Sequence, residues 1–187
     1  MKVFLLLIWL LVLGSGEGVA QNRYFTRAGH IWFFSETPIE NIEAHNKAVS
    51  SFLSFDTGEL VFSVPMKNYE FRKSLMQEHF NENFLETDKY PRGTFKGTIT
   101  NIQSIDFRKD GVYPTKVTGT LTIHGVSRQV TADGTLDVKG NRIGAKSTFT
   151  ITPQEYNIEI PLLVRNHIAK IIQINVDMQY EPYVAKQ

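Results

Sequence analysis

The chain has 187 residues, 42% of them apolar, with 13 Phe, 7 Tyr, no Cys and a formal charge of +1. Without cysteine there are no disulfides, thiol nucleophiles or thiolate metal sites. A near-neutral chain without clustered Lys and Arg is a poor candidate for nucleic acid or for an electrostatic membrane clamp. This length suits one domain with a real core.

Met1-Lys2 precedes an apolar run, Val3 to Leu13, and then the small-residue stretch Gly14 to Ala20. That order reads as a signal peptide, residues 1–20, cleaved so that the domain spans residues 21–187. An uncleaved anchor is the alternative. As helix, however, a run of that length reaches only about 17 Å, against about 30 Å of hydrocarbon. The protein is therefore expected to be exported, to the periplasm or beyond.

Period-two alternation dominates the chain after the leader. Tyr24 to Ser35 is a strand interrupted by Gly29, and Trp32 is expected as a core or rim aromatic. Asn46 to Asp56 is partly apolar on both faces, as in a strand covered on both sides. Leu60, Phe62, Val64 and Met66 form a clean apolar face. Phe71 to Phe84 changes period: Phe71, Leu75, Met76, Phe80 and Phe84 make one stripe, with Ser74, Gln77, Glu78 and Glu82 opposite. It is the one amphipathic helical segment, and in a β-rich chain its stripe has to lie on a sheet or across a barrel end. Tyr90-Pro91 closes it.

Strands resume at Thr94 to Ile105, with Phe95, Gly97 and Ile99 on one face, and at Val117 to Ile123. Val130 to Val138, Ile143 to Ile151 and Ala169 to Tyr180 complete the set. Seven or eight evenly spaced strands with polar outer faces point to an antiparallel barrel or sandwich. Gly97, Gly119, Ala132, Gly134, Ala145 and Ser147 fall on inner faces. Either they leave an apolar lumen for a flexible hydrocarbon ligand, or the glycines mark bulges in a filled barrel.

No catalytic arrangement stands out. The five histidines, His30, His45, His79, His124 and His167, form no ligand motif, and no Gly-x-Ser-x-Gly elbow exists outside the leader. Glu78, His79, Glu82 and Glu86 are better read as a solvated helix face than as a metal site. The sharpest local signature is Leu121-Thr122-Ile123-His124-Gly125-Val126-Ser127-Arg128. It reads either as a turn whose histidine bonds across it, or as a barrel mouth where His124 and Arg128 offer donors to a polar headgroup.

Leu75-Met76-x-Glu78-His79-Phe80-Asn81, then Tyr90-Pro91 with Phe95-Lys96-Gly97, then Gly119-x-Leu121-Thr122-Ile123-His124-Gly125-Val126 resemble the YceI-like family in order and spacing, over about Thr26 to Met178. The resemblance implies an all-β, lipocalin-like antiparallel barrel of eight strands plus the short helical segment. It also implies periplasmic location, frequent homodimers, and a polyisoprenoid, quinone or fatty-acid-like ligand in the lumen, with no other cofactor. The expected lining is Phe33, Phe62, Val64, Phe95, Ile99, Leu121, Ala145, Phe149 and Ile174, with Leu75, Met76 and Phe80 as a helical lid. The alternatives are a filled barrel working through an exposed edge at Tyr24, Trp32 and Phe34, and a hydrolase or isomerase.

Overall fold

A computed structural model describes residues 22–183, so the signal-peptide reading of residues 1–20 lies outside the described residues. The strands are β1 (Arg23–Glu36), β2 (Asn41–Ser54), β3 (Glu59–Pro65), β4 (Glu70–Phe71), β5 (Arg92–Ile99), β6 (Gly111–Ile123), β7 (Val126–Lys139), β8 (Arg142–Ile151) and β9 (Ile172–Pro182). All pairings are antiparallel, in the order β1-β9-β8-β7-β6-β5-β3-β2, and β1 pairs back onto β2. The result is a closed eight-stranded barrel without a free edge in its wall. The two-residue β4 attaches outside that cycle, on β2.

Between β3 and β5, which are direct neighbours, the chain makes an excursion over one barrel end. It contains β4, helix α1 (Ser74–His79) and a π-type turn (Phe80–Phe84) closed by Leu85 N–H donating to the Phe80 carbonyl at 2.9 Å. The predicted stripe is thus split: Phe71 sits in β4, and the wide turn carries Phe80 and Phe84. Phe80 is buried, tilted against Phe71 at 5.0 Å and stacked on Phe33 at 5.7 Å. One aromatic side chain therefore fastens the excursion to the barrel wall.

The barrel is filled at the opposite end. Val49, Leu53, Leu136, Val138, Ile143, Met178 and Tyr180 are buried there, and Phe55 stacks on Phe107 from the β5–β6 loop at 3.4 Å. Ser51 lies 2.7 Å from the Tyr180 hydroxyl and donates to the Val61 carbonyl, so this polar pair inside the core is satisfied. Register slips at Gly29 in β1 change which residues face inward beyond it. Ile31 turns in, while Trp32 turns out and stacks on His30 at 4.6 Å. Trp32 is therefore a half-buried aromatic of the outer wall, not a core residue.

Gly97 and Gly119 face each other across β5 and β6 with no register shift, so neither marks a bulge. A Cβ on Gly97 would lie 2.4 Å from the Thr118 carbonyl oxygen and 2.6 Å from the Phe95 ring; one on Gly119 would meet the same ring at 2.7 Å. The glycines let the Phe95 ring lie flat across the two strands.

His124 and Gly125 form the two-residue turn of the β6–β7 hairpin, with φ of 51° and 73°. Two left-handed residues in succession are the geometry that matches hairpin twist, and histidine tolerates it better than most side chains. The His124 ring is thereby aimed back at the excursion. Its Nε2 lies 2.8 Å from a Glu86 carboxylate oxygen and its Nδ1 lies 3.2 Å from the Tyr156 carbonyl oxygen. Tyr90 packs edge-on against the ring at 4.5 Å. Both partners are acceptors, so a neutral ring can donate to one at a time. This clasp joins the excursion, the β6–β7 turn and the loop after β8.

Two outcomes test these contacts. Gly97→Ala should force β5 and β6 apart and lower stability by about 1–3 kcal/mol, read by urea unfolding. The hydrogen bond from His124 holds the Glu86 carboxyl below its ordinary value of 4.5. A depressed carboxyl stabilises the fold above that value and loses its contribution as pH falls through the lowered one. Amide protection factors in residues 80–90, corrected for intrinsic exchange at each pH, should therefore fall below pH 4.5, and Glu86→Gln should remove that acid step.

Candidate functional site

Two apolar chambers lie one above the other between the Phe95 ring and the excursion. The inner chamber, of about 140 Å³, is bounded by Phe62, Val64, Phe95, Leu121, Ala132, Ser147, Phe149 and Ile174, among others. The outer chamber, of about 400 Å³, is bounded by Phe33, Leu75, Met76, Phe80 and Ile174, and by Ile160, Val164 and Ile168 of the loop that joins β8 to β9. Met66, Tyr69, Ile123 and Ile174 border both and form a waist between them. An apolar cavity of roughly 150 Å³ is already large enough to stay dry and hold a benzene-sized guest.

The strands explain the inner lining directly. Phe62 and Val64 sit two apart on β3, Phe62 pairs with Phe95 on β5, and Phe95 pairs with Leu121 on β6. Across the lumen Phe149 pairs with Ile174. Of the expected ligand-site residues, Phe62, Val64, Phe95, Leu121, Phe149 and Ile174 meet around the inner chamber, and Phe33, Leu75, Met76 and Phe80 around the outer one. Ile99 and Ala145 stand elsewhere: both belong to the filled end, on the same strand faces but farther down the barrel. Of the small inward residues, Ala132 and Ser147 border the cavity, whereas Gly97 and Gly119 lie beneath the Phe95 ring.

His124 and Arg128 border neither chamber. His124 is engaged in the clasp, and Arg128 donates from Nε to the Glu155 carbonyl at 2.9 Å, holding the turn Pro153–Tyr156 against β7. The polar groups at the mouth are instead Glu40, Lys73, His79 and His167. Lys73 Nζ donates to Glu40 at 2.6 Å, and His167 Nδ1 lies 3.5 Å from the other Glu40 oxygen. The Lys73 hydrogen bond, and then the His167 contact, hold the Glu40 carboxyl below its ordinary value. These residues come from the β1–β2 turn, the two ends of α1 and the β8–β9 loop. Far apart in the chain, they leave no local motif.

Tyr69 at the waist is buried, and burial pushes its phenol well above the ordinary value, so the hydroxyl keeps its proton. Glu86 turns to His124 rather than towards Glu78 and Glu82. Among the described residues no three His, Asp or Glu side chains converge as a metal-holding group.

The fold has solved relatives. A polyisoprenoid binding domain from Saccharophagus degradans, implicated in plant cell wall breakdown, superposes with a TM-score of 0.76 at 16% identity, covering 87% of this chain and 99% of that one. Burkholderia cenocepacia BcnA gives 0.69 at 18%, covering 81% and 95%. A Campylobacter jejuni YceI protein gives 0.61 at 17%, covering 80% and 90%. At these identities the likeness is one of fold. No curated protein matches the sequence. The model of the YceI-like domain matches residues 26–180, nearly all of the described chain, and the protein accordingly belongs to the YceI-like family.

Proposed function

We propose that this protein binds a long-chain amphiphile of the polyisoprenoid, quinone or fatty-acid kind, tail inward, and sequesters or carries it without chemistry of its own. The observation that carries the reading is that an apolar outer chamber and an apolar inner one adjoin, sharing Met66, Tyr69, Ile123 and Ile174 as their common border. A tail can thread from one to the other while the headgroup stays near Lys73, Glu40 and His167. The description of the Saccharophagus degradans domain as polyisoprenoid binding supports the same ligand class. Export to the periplasm follows from the leader read in residues 1–20.

Burying hydrocarbon supplies the affinity. About fifteen methylenes at ~0.8 kcal/mol each give roughly 12 kcal/mol. After about 4 kcal/mol of association cost, some 8 kcal/mol remains, which is micromolar binding. Native mass spectrometry of protein purified from its own envelope, followed by organic extraction, should reveal a bound long-chain lipid. A clean apo mass with no uptake of added isoprenoid quinone or fatty amide would sink the reading. Phe149→Asp places a charge in the inner chamber and should abolish uptake of long chains while sparing short ones that fill the outer chamber. Leu121→Arg should do the same. Unchanged long-chain uptake by either folded variant counts against a tail in the inner chamber.

A further inference from the structure

The exposed large apolar side chains are not scattered over the barrel. Five of the seven among the described residues, Ile39, Leu75, Leu162, Leu163 and Ile171, stand at the mouth end, and Leu163 is 94% exposed; Val112 and Tyr183 stand singly at the filled end. Ile39 lies in the β1–β2 turn, Leu75 opens α1, and the other three belong to residues 161–171 of the β8–β9 loop. Contacts around Glu40 hold these elements together: it meets Lys73 and His167, and the Ala169 N–H donates to Ser35 Oγ at 2.8 Å. An apolar rim concentrated around an opening is a different feature from single exposed leucines.

Residues 161–171, Pro-Leu-Leu-Val-Arg-Asn-His-Ile-Ala-Lys-Ile, are apolar on both faces. Val164 and Ile168 border the outer chamber, while Leu162, Leu163 and Ile171 face out. In water the outward half of this wall is uncompensated. The segment has no acidic residue and two exposed cations, Arg165 and Lys170. Glu40, the carboxylate that touches it, is already engaged by Lys73 and His167. Arg72, before α1, is another exposed cation, while the exposed carboxylates Glu78 of α1 and Glu159 lie outside the segment itself. Apolar side chains flanked by Lys and Arg are the pattern of a segment that lies in a membrane interface.

We propose that the mouth docks on an anionic lipid bilayer through Leu162 and Leu163, with Arg165 and Lys170 against the headgroups. The chain as a whole is near neutral, so insertion of the leucines supplies the hold and the two cations orient it. The outer chamber then opens towards the bilayer, and a lipid ligand passes between two apolar phases without crossing water. The proposal takes its purpose from the carrier reading, but vesicle binding can be measured without any ligand.

The test is co-sedimentation of the protein with phosphatidylglycerol-containing vesicles and with pure phosphatidylcholine vesicles, at low and high salt. Binding to the anionic vesicles is expected, weakened several-fold by salt or by the doubly substituted Arg165→Glu/Lys170→Glu protein. Leu162→Asp/Leu163→Asp should reduce it at least tenfold with an unchanged melting temperature, and should slow ligand uptake from vesicles but not from detergent micelles. Leu163→Trp, which stays apolar, should bind and show emission blue-shifted by vesicles over the Trp32 background.

Failure of the wild type to sediment with vesicles, undiminished binding by the double Asp protein, or unshifted Leu163→Trp emission would overturn the docking surface. So would a dimer that dissociates in the double Asp protein without any vesicle binding, because the rim would then face a second copy. Absence of ligand uptake from micelles as well as vesicles would count against the carrier reading instead, leaving the sedimentation result to judge the surface.

Discussion

The Phe95 ring lying across Gly97 and Gly119 sets the height at which the barrel changes from solid to hollow. Any side chain at either glycine would occupy the space of the ring or of a neighbouring backbone oxygen, so the two strands and the aromatic have one way of fitting. Below that floor, core side chains meet across the axis and the Phe55–Phe107 stack closes the end. Above it, Ala132 and Ser147 replace larger residues and the wall encloses apolar space. A void of this kind forgoes the dispersion contacts of a filled core. The filled end and the continuous hydrogen-bonded wall must therefore supply the stability that the upper half does not.

The open end has its own problem, because a barrel mouth lined with Phe33, Ile151 and Ile172 cannot be left to water. The chain covers it with two excursions rather than one, the segment between β3 and β5 and the loop between β8 and β9. Each is pinned by a different kind of contact. Phe80 and the His124–Glu86 clasp hold the first; Arg128, Tyr156 and the contacts of Ala169 and His167 hold the second. His124 bonds to both. Of the two readings of His124, the turn histidine and the headgroup donor, its contacts fit the first: it works as the rivet between two covers, on a left-handed backbone with a glycine after it.

Alternation identified the strand faces that carry Phe62, Phe95, Phe149 and Ile174, because a face carries through every residue of an unbroken strand; that Phe62 meets Phe95 and Phe149 meets Ile174 is a matter of pairing. Height along the axis was not legible. Ile99 and Ala145 share faces with cavity residues yet belong to the filled end, because periodicity says in or out but not how far up. The small residues divide in the same way: Ala132 and Ser147 border the cavity, whereas Gly97 and Gly119 lie under the Phe95 ring and mark no bulge. Of the readings of Trp32, the core one fails because of the slip at Gly29, an event of pairing rather than pattern. The mouth contacts among Glu40, Lys73 and His167 had no signal at all, since closure of the fold is what brings them together.

A ligand that gains its affinity from hydrocarbon burial is hard to release into water for the same reason that it binds. Each methylene leaving the cavity for solvent costs about 0.8 kcal/mol, so a tail of fifteen faces a penalty of roughly 12 kcal/mol. Exchange on a useful timescale then requires a second apolar phase at the mouth, where nearly all of that penalty is returned. Lys73 and His167 are both engaged with Glu40, and exposed leucine and isoleucine stand on the rim beside Arg165 and Lys170. A wall that is apolar on its inner and outer surfaces suits hand-over from one hydrocarbon environment to another. A storage protein facing water would gain from a polar outer surface on the same loop.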